Sequence, residues 1–172
     1  MRRVTAAATS VLPAARPAAV DQRLARATAG LCRDHPQVAG AVRGVLAPLR
    51  DRVHRVHAQC QQAEAAAWAV YTADLDRGLD ELSVEIGRAA EEPGRAVDEV
   101  LATAAVRLEL RAWQLRLRTL RGEGRDAHAA EQLADRLDQR LAQPDHAASL
   151  ADDLAALRLA VTAAERPAPI RN

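Results

Sequence analysis

The sequence predicts an all-α protein: an up-and-down bundle of about five helices, two of them long and coiled-coil-like, with loose termini. Three observations predict it. The 172 residues include 41 alanines and 21 leucines against 2 isoleucines and no phenylalanine, and strands need the β-branched and aromatic residues that are scarce here. Apolar residues recur at steps of three and four over long stretches, which is the helical period. Proline and glycine punctuation leaves short connections between those stretches, and short connections make successive helices antiparallel neighbours. With 49% hydrophobic residues the chain can bury one sizeable core. That domain is expected over 20–165, with a disordered tail at 1–19 and a loose tail at 166–172.

The first helix is expected over 21–34, where Asp21 is a ready N-cap and His35-Pro36 a stop. A shorter segment over 37–46 should end at Ala47-Pro48. From there Leu49, Val53, Val56, Cys60, Ala63, Ala67 and Val70 form one alternating stripe of four- and three-residue steps, the seam of a long helix over 49–91. The stripe then shifts to Tyr71, Leu75, Leu79, Leu82 and Ile86, which implies local unwinding or a break near Gly78. Glu91-Glu92-Pro93-Gly94 ends it. A third long helix covers 95–121 and stops at Gly122-Glu123-Gly124. A fourth, over 126–143, aligns Leu133, Leu137 and Leu141 and closes at Pro144. The fifth, over 145–165, aligns Leu150, Leu154, Leu157, Val161 and Ala164, with Ser149 and Asp152 spaced as in a capping box.

The helix over 95–121 carries the main functional expectation. At about 100° per residue, Val97, Leu101, Ala104, Leu108 and Leu115 share one side, and Val106, Leu110, Trp113, Leu117 and Leu120 the nearly opposite one. One core cannot cover both sides. The helix is therefore either the central member of its own bundle or the interface to another chain. Between the apolar sides run Arg107, Arg111, Gln114, Arg118, Arg121 and, past the glycines, Arg125. Like charges so spaced repel by a few tenths of a kcal/mol per pair, so an acidic surface is expected to face them. The stretch Asp74, Asp76, Asp80, Glu81, Glu85, Glu91 and Glu92 would supply it, from the same chain or a second one. The leading expectation is a non-enzymatic helical interaction or assembly protein. It would self-associate, or bind another helical protein, through Val106, Leu110, Trp113, Leu117, Leu120, Arg107, Arg111, Arg118 and Arg121.

A second reading is a metal-binding or redox bundle. Cys32 and His35, then His54, His57, Cys60 and Glu64, concentrate ligand-type side chains, and two helices could each present a pair to zinc or iron. Residues three apart fan around a helix, so not all can reach one ion. His57, Cys60 and Glu64 are the best subset, and a buried thiol, imidazole and carboxylate would need partners. The Glu-x-x-His pairs of di-iron bundles are absent from the sequence, and no cofactor is otherwise expected.

A third reading is an amphipathic helix at a membrane surface, or attachment to nucleic acid. Residues 1–55 hold 10 arginines and 3 acids, and residues 74–99 hold 9 acids and 3 arginines. The two poles nearly cancel to a net charge of +1, which argues against nucleic acid as the partner. No apolar run is long enough for membrane insertion. With only Trp68, Tyr71 and Trp113 as aromatics, a small-molecule pocket is not expected. Two cysteines are too few for a disulfide framework and suit the cytoplasm. Neither a phosphate loop nor a nucleophile elbow is present, so no catalytic residue is assigned.

Overall fold

In the computed structural model, which describes residues 15–91, 96–143 and 149–166, the described chain is helical without strands. It runs α1 (Ala15–Asp34), a 3-10 turn (Pro36–Val38), α2 (Ala39–Gln59), α3 (Ala65–Glu91), α4 (Val97–Gly122), α5 (His128–Leu141) and α6 (Leu150–Ala164). The expected all-α class holds, with six helices among the described residues instead of five. The remainder of the two expected tails, and the breakers Pro93-Gly94 and Pro144, lie outside the described residues.

The extra helix comes from misplaced breaks. α1 begins at Ala15, ahead of Asp21, because Pro17 lies in its first turn, where a missing N–H forfeits no intrahelical bond. Pro48 lies inside α2 and does not end it. An interior proline costs about 3 kcal/mol. Here it sits on the exposed side of a helix whose other side buries Val42, Leu46, Leu49, Val53 and Val56, and that packing holds the helix together across the fault. The expected 49–91 helix is instead two, with the corner at residues 60–64. Cys60 and Ala63 stay buried through the corner, so the apolar spacing continues where the helix does not. Trp68 secures the turn by donating its indole N–H to the Cys60 carbonyl (3.2 Å). Beyond the corner, Val70 leaves the stripe and is 47% exposed. α3 then passes Gly78 unbroken. The glycine serves a close approach: a Cβ there would lie 3.0 Å from Leu108 Cδ2 on α4. Ser149 is the N-cap position of α6, and its side chain makes no capping bond.

α4 is the central element. Its Leu101, Ala104, Leu108, Ala112 and Leu115 join a first core with α1, α2 and α3. Its Leu110, Leu117 and Leu120 join a second core with α5 and α6. Trp113 packs against both. The two apolar sides are real, and the chain covers both of them itself. Leu110 and Leu120 are fully enclosed and Leu117 is 4% exposed, so these three residues offer no surface to a second chain in this fold. Burying such side chains stabilises by about 1.5–3 kcal/mol each, and α5 and α6 supply the cover.

Candidate interaction surface

Charged groups on α4 join the two cores. Glu109, 1% exposed, accepts from Arg52 Nε on α2 (2.7 Å) and from Arg158 on α6 (Nε 2.8 Å, Nη2 2.6 Å). The Trp113 indole N–H also donates to it, at 3.2 Å. Two turns on, Arg116 donates to Glu165 (2.9 Å), to the Gln59 carbonyl closing α2 (3.0 Å) and to Glu123 (3.3 Å). Neither Glu109 nor Arg116 stood out in the sequence. Each sits between the two apolar sides of one helix, and that position alone could have marked them as buried charges in need of partners.

A second buried polar group lies where α1, α2 and α3 meet. His57 is fully enclosed, and its Nε2 is 2.7 Å from the Tyr71 hydroxyl. The rings of His57, Trp68 and Tyr71 pack edge-on or tilted, with centroids 5.1–6.0 Å apart. His54 Nδ1 is 2.5 Å from Asp21 Oδ2. Asp21 Oδ1 and His57 Nδ1 face each other at 3.9 Å, and neither has a hydrogen-bond partner among the described residues. Burial, and secondarily the charge of His54, brings the His57 imidazole down to about pKa 4. Burial raises the Tyr71 phenol and pushes the Cys60 thiol up to about 11. The imidazole is neutral and the thiol protonated near pH 7, a settled core and not an activated nucleophile.

The expected metal ligands disperse. Cys32 directs its thiol to the Ala39 carbonyl (3.7 Å), and His35 packs beside Gly87 on α3. His54 bonds Asp21 and His57 bonds Tyr71, Cys60 lies in the core, and Glu64 is exposed at the corner. Among the described residues, no three His, Cys, Asp or Glu side chains are placed to hold a metal ion.

The arginine stripe of α4 divides. Arg107 meets Glu81 (3.3 Å) and Glu85 (4.0 Å) on α3, as the acidic stretch suggested. Arg111 turns to Asp138 on α5 (3.1 Å) and to Gln114. Arg118 and Arg121 are exposed and form no ion pair among the described residues. They line an open cleft of about 710 Å³ between the C-terminal end of α4 and the α2–α3 corner, whose other wall is Ala66, Ala67 and Val70. Glu64 and Glu123 border it, Glu123 already held by Arg116. Val106, the remaining apolar residue of the expected interface, packs against the second core.

Fold and site together define a helical protein built on one shared central helix, with the buried Glu109 and Arg116 paired internally and an arginine-lined apolar cleft open to solvent. Neither the protein-family models, the curated proteins nor the solved structures give a match to this chain. No described helix is long and apolar enough to cross a membrane.

Proposed function

We infer that the chain is a non-enzymatic helical interaction protein that receives an acidic amphipathic helix in the cleft between α4 and the α2–α3 corner. The observation that carries this reading is the contrast within one stripe: Arg107 and Arg111 have carboxylate partners, whereas Arg118 and Arg121 stand exposed beside apolar surface. An arginine fork matches a carboxylate bidentately, and Val70 with its flanking alanines gives the apolar side of a helix a place to rest. The buried His57, Tyr71 and Glu109 are engaged with one another or with neighbouring helices, which supports a binding role over a catalytic one. The second apolar side of α4 plays no part, being covered by α5 and α6.

A fluorescent Glu-rich amphipathic helical peptide, titrated with the full chain, tests the reading against a Lys-rich peptide of the same apolar pattern. The acidic peptide should bind preferentially, more weakly at high salt, and Arg118→Glu or Arg121→Glu should abolish the preference. Equal binding of both peptides, or no effect of either substitution, would refute it.

A further inference from the structure

We propose that the partner is a second copy of this chain, paired antiparallel along the outer face of α3 about a two-fold axis. The inference rests on the cleft reading and names its occupant.

α3 buries Tyr71, Leu75, Leu79, Leu82, Ile86 and Ala89. The opposite side carries Ala66, Val70, Ala73, Arg77, Asp80, Val84 and Glu91, all exposed. Past the first residue these follow the alternating three- and four-step spacing of a helix–helix seam, with one place, Gly87, lacking a side chain. Two of the three exposed large hydrophobic residues of the protein's described surface, Val70 (47%) and Val84 (52%), fall on this one line. Ala73 between them and Ala66 beyond Val70 allow close approach of two helix axes.

Charge selects the occupant. In a two-fold interface each contact occurs twice, and a residue meets its complement on an identical surface. When two copies of α3 run antiparallel with Arg77 opposite Asp80 of the second copy, the same register sets Ala73 against Val84 and Val70 against Gly87 and the His35 ring packed beside it. It also brings Glu91 of the second copy to Ala66, on the wall of the cleft that holds Arg118 and Arg121. Arg77 is 68% exposed and, among the described residues, bonded only to Asp74 one turn back on its own helix (2.9 Å), so its guanidinium can bridge to a second carboxylate. One register therefore joins opposite charges at the centre and at both ends and closes the exposed valines between them.

Sedimentation velocity of the full chain from low to high micromolar concentration tests this with four variants. The wild type should reach the mass of two chains. Arg77→Asp and Asp80→Arg each place like charges opposite one another and should weaken self-association by roughly tenfold or more; Val84→Glu should do the same. The double variant Arg77→Asp/Asp80→Arg, and an equimolar mixture of the two single variants, should restore it, because each regains opposite charges across the axis. Circular dichroism confirms that these surface variants stay folded. A chain at the mass of one copy throughout overturns the pairing, and so does a dimer indifferent to the charge swap or not rescued by it. A monomer that still binds the acidic peptide through Arg118 and Arg121 overturns the self-pairing alone. A monomer that does not bind the peptide overturns both.

Discussion

Glu109 on α4 and Arg158 on α6 meet at 2.6 Å on the line where the two cores adjoin, and the same carboxylate takes Arg52 from α2 at 2.7 Å. The first core and the second are thus joined by one buried charge as well as by the helix they share. Removing that charge leaves two guanidinium groups without their partner. Breaking a buried pair costs about 3–5 kcal/mol; because Arg52 and Arg158 are partly exposed and can turn to water, Glu109→Gln should cost about 2–3. Arg158→Met should cost less, about 1 kcal/mol, since Arg52 and Trp113 still hold the carboxylate. Urea unfolding measures both, and a Glu109→Gln midpoint equal to wild type would contradict the assignment.

The helical class, the ends near Glu91 and Leu141 and the two apolar sides of α4 were legible because each rests on local periodicity or punctuation. The corner at residues 60–64 was not, since Cys60 and Ala63 keep the helical spacing while buried by tertiary contacts. Nor was the continuity of α2 through Pro48, which depends on the packing of Leu46 and Leu49 around it. On α4, the sequence located both apolar sides and the arginines between them. Which side met α5 and α6, and which arginines lacked an acid, depended on how separate helices dock.

The enclosed His57 makes stability depend on pH in a definite direction. The unfolded histidine titrates near 6.5 and the folded one near 4, chiefly because of burial. Above pH 6.5 both are neutral and the folded state carries no penalty. As pH falls from 6.5 towards 4 the unfolded chain takes up a proton that the folded chain refuses, and stability on the order of 3 kcal/mol is lost. Thermal melts from pH 7 to 4 should show the decline, and His57→Gln should flatten it relative to wild type. Parallel slopes for the two proteins would rule the explanation out.

Tyr71→Phe removes the hydroxyl that partners His57 Nε2 at 2.7 Å without changing the ring packing against Trp68. A buried nitrogen left without a partner costs about 1–3 kcal/mol. The urea midpoint should fall accordingly. An unchanged midpoint would mean that the bond adds nothing to stability.

The two thiols should differ in reactivity. Cys60 is buried and its thiol is pushed up to about 11, so little thiolate exists at pH 8. Cys32 is only half-buried. Iodoacetamide pulses read by mass spectrometry should therefore label Cys32 first in the native protein and Cys60 only as urea unfolds the chain. Equal native rates would show that the first core opens at the α2–α3 corner.

Two glycine-to-alanine exchanges on neighbouring helices should have opposite signs. Alanine is favoured over glycine in a helix interior by about 1 kcal/mol, and at Gly44 on α2 an added Cβ meets nothing within 4 Å. Gly44→Ala should raise the melting temperature by about 2–4 °C. At Gly78 the same methyl would come 3.0 Å from Leu108 Cδ2. Leu108 is itself locked in the first core, so α3 and α4 must separate or Leu108 must leave its rotamer. Overpacking of that kind costs about 1–3 kcal/mol, which cancels or exceeds the gain in propensity. Gly78→Ala should leave the melting temperature unchanged or lower it. A rise matching that of Gly44→Ala would mean that α3 and α4 do not approach closely at Gly78.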